Sequence, residues 1–281
     1  MSATEHAPTP SEYISHHLGH LANSHDQQTA LVDMSYINYD TIIWSVFCGL
    51  LAIILMFLAS RKATSGVPGR FQCAVEMVVE MVNDQAKSIV HGNVSFIAPM
   101  ALTVFVWVSL MNSMDFLPVD LIPKVWDAIA GGGEHHTYMR VVPTADLSVT
   151  LGMSVSVLLI CIFYNIKIKG FGHWMHELFS APFGAKLGPI NFLFQMIEFI
   201  AKTVSHGMRL FGNMYAGELV FMLIALMGSA LAASASGIML PIAHIIAGSV
   251  WSIFHILIVG LQAFVFMMLT LVYVGQAHDA H

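Results

Sequence analysis

One long apolar stretch of the sequence, residues 189–227, contains four formally charged side chains: Glu198, Lys202, Arg209 and Glu218. A charge at the centre of a bilayer costs about 2.5–3.5 kcal/mol even on a lenient insertion scale, so each needs a reason to be there. Glu198 and Lys202 are four residues apart and can neutralise each other across one helical turn. Arg209 has no acid three or four positions away and cannot lose its charge, so its counter-charge must come from elsewhere.

Helical geometry predicts that Arg209 and Glu218 face opposite ways. At about 100° per residue, five polar side chains of this stretch fall within an arc of about 80°: Glu198, Lys202, Ser205, Arg209 and Asn213. Glu218 comes nine residues after Arg209, which places it about 180° around the helix. We therefore expect Arg209 on one face and Glu218 turned back into the neighbouring helices.

A second long apolar stretch, 238–274, has one ionisable side chain well inside it, His255. His244 lies eleven residues earlier on the same face, and Gln262 lies two turns further on. A histidine and a carboxylate on paired helices are what a proton relay needs, because both exchange protons under physiological conditions. A histidine that only bonds a backbone or hydroxyl group is the alternative at this point.

The composition excludes most classes of protein. Of 281 residues, 11 are Lys or Arg and 17 are Asp or Glu, so 10% are charged and 57% are hydrophobic, whereas a soluble domain has about 25% charged residues. A soluble enzyme, a disordered regulator and a nucleic-acid binder are excluded, the last also by the net charge of -6. Three distant cysteines offer neither disulfide nor metal-ligand spacing. The chain uses lipid as its solvent.

The apolar stretches predict an all-α polytopic membrane protein with five passages, at 41–59, 97–117, 147–164, 189–227 and 238–274. The loops 60–96 and 165–188 contain seven Lys or Arg residues, against two in the loop 118–146. The positive-inside rule then places the N-terminus outside and the C-terminus inside the cell. Residues 1–40 form a polar outer segment, and 41–281 form a single membrane domain.

Two further features complete the predicted architecture. Residues 68–90 alternate apolar and charged positions at helical spacing, which predicts an amphipathic helix on the cytoplasmic surface of the bilayer. The last two passages would measure about 58 and 55 Å as helices, against a hydrocarbon layer of about 30 Å, so we expect a long, strongly tilted hairpin. Apart from the four charges in 189–227, the remaining 24 of the 28 charges are expected in tails, surface elements or helix ends.

Several motifs resemble one family. Both long stretches carry one of them, Arg209-Leu-Phe-Gly-Asn-Met-Tyr-Ala-Gly-Glu218 and Ile253-Phe-His-Ile-Leu-Ile-Val-Gly-Leu-Gln-Ala-Phe264. Together with the segments 62–69, 111–118 and 140–146, in order along nearly the whole chain from about residue 10, they resemble the bacterial form of the F-type ATP synthase subunit a.

The resemblance implies a stator in the bacterial inner membrane, held beside a ring of c subunits and bound to peripheral-stalk b subunits. It would couple proton flow through two offset half-channels to ring rotation and ATP synthesis, without catalysis of its own, a cofactor or a metal. Arg209 would face the ring carboxylate, and Asn213, Glu218, His255 and Gln262 would belong to the outer half-channel or its connection to the ring. Candidates for the entrance of that half-channel are Asp115, Asp120, Arg140, Asp146 and His244.

The sequence departs from the family pattern in two places. Gln195 stands where an acid is expected, which makes Glu198, tuned by Lys202, the candidate for the cytoplasmic half-channel. His206, beside Arg209, either assists proton exit or packs, and packing is favoured.

The N-terminal histidines raise the question of a metal site, since two of them have helical i,i+4 spacing. The favoured interpretation is that they are solvated: His6, His16, His17, His20 and His25.

Other functions fit less well. An intramembrane hydrolase fails because His176-Glu177 is not followed by the second histidine of a zinc-protease motif. Haem ligation needs two histidines facing each other across helices, whereas His244 and His255 share one helix. The closest alternative is a self-contained proton-coupled transporter or channel, which would need its own counter-ion for Arg209.

Overall fold

The computed structural model describes residues 19–23, 36–64, 66–90, 92–117, 125, 140–180, 187–233 and 239–277. Within these residues the chain forms seven α-helices, two 3-10 turns (Met114–Phe116 and Pro143–Ala145) and one isolated bridge. The helices are α1 (Tyr39–Lys62), α2 (Arg70–Ile89), α3 (Ile97–Ser113), α4 (Leu147–Lys169), α5 (Phe171–Ser180), α6 (Gly188–Ala233) and α7 (Met239–Gly275). The all-α polytopic fold is confirmed.

The five predicted passages correspond to α1, α3, α4, α6 and α7, and each is long and apolar enough to cross a membrane. The helices extend past the apolar stretches, so that Arg61 and Lys62 lie in the last turn of α1, and Lys167 and Lys169 in that of α4. Long basic side chains at such ends can reach the polar edge of a bilayer. Large apolar side chains such as Ile53 are exposed along the outer faces of these helices, as expected where lipid is the solvent.

Two shorter helices flank the spans. The amphipathic helix predicted at 68–90 is α2, which buries Val82 and Ala86 against α3 and α7. The second, α5, lies in a segment for which no helix was predicted. It begins just after Gly170, whose φ of 79° ends α4 and is readily adopted only by glycine. Its ten residues make a short amphipathic pattern that is easily read as loop.

The hairpin of α6 and α7 is the centre of the packing, with α3 lying along α7 and α4 along α6. At Gly207 the backbones of α4 and α6 come so close that an added Cβ would lie 3.0 Å from the carbonyl oxygen of Thr150. Small residues allow such close helix contacts in membranes. The link between α6 and α7 lies mainly outside the described residues, and the tilt of the hairpin stays a prediction.

Candidate functional site

Polar side chains from several parts of the chain meet between the first turn of α1, the end of α3, the start of α4 and the middles of α6 and α7. We call this cluster the buried polar network; its members are His20, Asp40, Thr41, Asp115, Arg140, Asp146, Glu218 and His255. All except His20 are buried. Buried charges need partners, and the contacts below supply them.

The centre of the network is an ion pair between Arg140 and Glu218. Nη2 of Arg140 donates to Oε2 of Glu218 at 2.5 Å, and each side chain is 6% exposed. Nη1 of Arg140 lies 3.2 Å from Nε2 of His20, and the guanidinium carbon lies 5.4 Å from the ring centre of Tyr215. Arg140 therefore joins α6 to the N-terminal residues.

Next to this pair, α7 contributes His255. Its Nε2 lies 2.6 Å from Oδ2 of Asp115, in the 3-10 turn after α3. The imidazole lies against the backbone of α6 at Gly217, where an added Cβ would be 2.8 Å from Nδ1 of His255 and 3.5 Å from Oδ2 of Asp115. The histidine and Asp115 therefore lie beside the turn of α6 that carries Glu218.

Asp40 and Asp146 tie the network to the starts of α1 and α4. Oδ2 of Asp40 accepts hydrogen bonds from the backbone N–H groups of Leu21 and Arg140, at 3.1 and 3.0 Å. Asp146 caps α4 by accepting from the N–H of Ser148 at 2.8 Å, a common helix N-cap. The hydroxyl of Thr41 donates to Oδ2 of Asp146 at 3.0 Å. Two helix ends are thus fixed by the same polar cluster.

Several of the 24 charges expected in tails, surface elements or helix ends are buried, which the sequence did not predict. Asp40, Asp115, Arg140 and Asp146 come from such places in the sequence, yet their side chains are buried. Asp40 was not predicted as a site residue. The available signal was an acid, followed by a threonine, at the start of the first apolar stretch. His20 also departs from prediction, because it contacts Arg140 and Asp40 and is not freely solvated.

The remaining candidates for the entrance are not part of the network. Asp120 lies outside the described residues. His244 is half-buried, 11 residues before His255 on α7. It packs against the backbone of α6 at Gly228, where an added Cβ would meet its ring at 3.0 Å.

Arg209 has the opposite environment to Glu218. Its side chain is exposed, and within the described residues it has no hydrogen bond or ion pair. The predicted opposite facing of the two residues is confirmed, since Glu218 is buried against Arg140. Of the other candidates, Ser205 is exposed and both Asn213 and Gln262 are partly exposed. The protein thus presents an unpaired cation at a surface formed by apolar helices.

A second polar region lies on α6 before Arg209. The predicted pair is present, with Nζ of Lys202 at 2.6 Å from Oε1 of Glu198. Both residues line a cavity of about 330 Å³, whose other polar members include Gln195, Gln276 and Asn165. Glu177, on the unpredicted helix α5, also lines it and accepts hydrogen bonds from Lys169 at 2.9 and 3.0 Å.

His206 lies between these regions but faces inward. It is 2% exposed, and its ring stacks on Phe266 of α7 with 3.9 Å between ring centres. The packing role favoured for this residue fits these contacts.

Comparison with known proteins identifies the family. The chain matches the family described as ATP synthase A chain over residues 42–275. It belongs to this family. The ATP synthase subunit a of Acidovorax sp. (strain JS42) is 62% identical, and that of Paracidovorax citrulli is 60% identical, both over the full length of each chain. The subunit a of Colwellia psychrerythraea is 44% identical over 97% of each chain.

The resemblance found in the motifs is therefore confirmed. As a member of the ATP synthase A chain family, the chain is a multi-pass membrane subunit of an ATP synthase complex. It is a proton-translocating stator subunit that is not catalytic by itself.

The close contact at Gly217 allows a test of the His255–Asp115 pair. We expect Gly217→Ala to lower ATP-driven proton pumping about tenfold or more, because the new methyl group would push the imidazole away from Asp115. Pumping is measured as acidification of inverted membrane vesicles, with the amount of assembled complex measured in parallel. Gly152→Ala on α4 is the matched control, since a Cβ there meets nothing within 4 Å. Normal pumping by Gly217→Ala would show that this pair is dispensable.

Proposed function

We propose that this chain conducts protons to and from a ring of c subunits through two half-channels separated by Arg209. The observation that carries this is an exposed, unpaired Arg209 with a polar region on either side of it along α6. Lys202 is seven residues before it and Glu218 nine residues after it, which is about 10 and 14 Å along a helix. The two regions are therefore offset from each other along one element.

Arg209 supports this arrangement in two ways. A guanidinium stays charged at all physiological pH values, and in a low-dielectric surrounding it attracts an ionised carboxylate strongly. An ionised ring carboxylate is the counter-charge that this chain lacks. The same positive charge opposes a proton that would move directly between the two polar regions, so protons must travel by way of the ring.

The charge balance of the buried polar network supports a role in holding protons. Among the described residues the network has four carboxylates, of Asp40, Asp115, Asp146 and Glu218, but only one guanidinium, of Arg140. Where buried carboxylates outnumber the cations beside them, the binding of a proton to one of the carboxylates is favoured. His255, beside Asp115, is placed to accept and return such a proton. We assign this network to the outer half-channel and the Glu198–Lys202 cavity to the cytoplasmic one.

The remaining assignments follow from the sequence and the family. The excess of Lys and Arg in 60–96 and 165–188 supports an outer N-terminus and a cytoplasmic C-terminus, in the inner membrane of a bacterium. The partners are the c-ring, through its carboxylate opposite Arg209, and the b subunits of the peripheral stalk. Residues 41–281 act as one membrane domain, with 1–40 on the outer side.

Reconstitution tests this function against a self-contained transporter or channel. The chain alone, in liposomes with an imposed proton gradient, should conduct no protons above protein-free liposomes, because Arg209 lacks its moving counter-charge. Liposomes with the membrane sector, including the ring and the stalk, should conduct protons and lose this conduction when the ring carboxylate is chemically blocked. Conduction by the chain alone would support the transporter and overturn the stator.

A further inference from the structure

The N-terminal residues 19–23 are attached to the start of α1. The N–H of Asn23 donates to the carbonyl of Ile37 at 3.2 Å, and the N–H of Tyr39 donates to the carbonyl of Leu21 at 2.9 Å. The N–H of Leu21 also donates to Oδ2 of Asp40. These bonds fix the position of His20 next to Asp40 and Arg140 of the network, although His20 precedes the first membrane helix by 19 residues in the sequence.

Both ring nitrogens of His20 face charged members of the network. Nδ1 lies 3.4 Å from Oδ2 of Asp40, and Nε2 lies 3.2 Å from Nη1 of Arg140. A guanidinium can only donate, so Nε2 is the acceptor and the ring hydrogen is on Nδ1, the nitrogen nearer to Asp40. In this arrangement His20 is neutral, with one nitrogen able to take up a proton and the other able to release one.

His20 is also the network member with the most exposed side chain. Its side chain is 18% exposed, whereas those of Asp40, Asp115, Arg140, Glu218 and His255 are between 0 and 6% exposed. Within the described residues, a proton that enters the network from the nearest aqueous side therefore meets this imidazole first.

We infer that His20 is the outermost proton carrier among the described residues, exchanging protons between the aqueous phase and the buried polar network. A proton binds Nε2 as Nη1 of Arg140 moves away, while Nη2 keeps its bond to Glu218. The ring then turns so that its Nδ1–H points at Oδ2 of Asp40, and the proton on Nδ1 passes to that oxygen as it gives up one of its two backbone N–H hydrogen bonds. One N–H bond forms, one breaks and one O–H bond forms, so His20 is neutral again and one carboxylate has gained a proton. This inference rests on the proposed function, because it concerns the outer half-channel.

The test uses the complete ATP synthase in liposomes, making ATP from an imposed gradient. The pH on the side opposite the soluble head, where His20 is proposed to lie, is called the outer pH and is set to several values. The pH on the side of the soluble head and the membrane potential are held constant. We expect His20→Ala to be slowed about tenfold or more at outer pH near 8. The rate should approach that of the unmodified enzyme as the outer pH falls, because abundant protons then enter without a carrier. Imidazole in the outer medium should restore the rate at high pH, since it replaces the missing ring.

Two variants make the result specific. His20→Gln keeps a polar side chain but cannot carry a proton, so we expect it to behave as His20→Ala. If the alanine variant assembles poorly, the glutamine variant replaces it in the test. His173→Ala removes an exposed histidine of α5 and should have no effect. An unchanged rate at every outer pH, or a loss that neither acid nor imidazole restores, would overturn the inference. Loss of pumping in Arg209→Ala, measured separately, would still support the proposed function.

Discussion

Replacing Arg209 with alanine is expected to reduce ATP-driven acidification of inverted vesicles to background, while ATP hydrolysis by the soluble head of the complex persists. The side chain is exposed and unpaired within the described residues, so its removal disturbs no packing in this chain. Under the proposed function, what disappears is the fixed charge that attracts an ionised ring carboxylate and separates the two half-channels. Acidification is followed with a pH-sensitive dye, and hydrolysis by phosphate release.

A matched substitution is Arg61→Ala. Arg61 is also an exposed arginine, in the last turn of α1, where its guanidinium carbon lies 5.8 Å from the ring centre of Phe57. We expect pumping close to that of the unmodified complex, because this residue lies in neither polar region. Undiminished acidification by Arg209→Ala would reject the assignment of Arg209.

The second large effect is expected at Arg140. In Arg140→Met, Glu218 loses its ion-pair partner while it stays buried. Breaking a buried pair from one side typically costs about 3–5 kcal/mol, chiefly because an uncompensated charge is left behind. We therefore expect a lower thermal midpoint of the purified complex and a loss of proton pumping.

The double variant Arg140→Met/Glu218→Gln separates these two effects. It removes both charges, so at least half of the lost stability should return, whereas pumping should stay absent because the network has lost its carboxylate on α6. Lys202→Met is the control for stability, since the Lys202–Glu198 pair is 32% and 51% exposed and such pairs contribute about 0–1 kcal/mol. A double variant no more stable than Arg140→Met would contradict this account.

The local properties of the chain could be predicted from its sequence. The five spans follow from runs of apolar residues, and α2 follows from its helical alternation. The pairing of Glu198 with Lys202 and the opposite facing of Arg209 and Glu218 follow from helical geometry alone. In each case the information lies within one helix, where the positions of side chains relative to one another depend only on their spacing.

The buried polar network could not be predicted in the same way. Arg140 and Glu218 are 78 positions apart, and Arg140 and His20 are 120 apart. Asp40 appears in the sequence as an ordinary residue at a helix start, and Asp146 became a candidate only through the family resemblance. Both are buried because α1 and α4 begin side by side. Helix α5 was missed because ten residues carry too little periodic signal, although it brings Glu177 to the cavity lined by Glu198 and Lys202.

By itself the sequence determined that lipid is the solvent, that five long helices cross it and that Arg209 has no counter-charge within reach on its own helix. Those conclusions depend on composition and on spacing within single helices. Only the tertiary structure decided which charges are buried and what they contact, including His20, Asp40 and Arg140. A charge near a helix end can equally reach water or a neighbouring helix, and the packing of distant segments determines which of the two it meets.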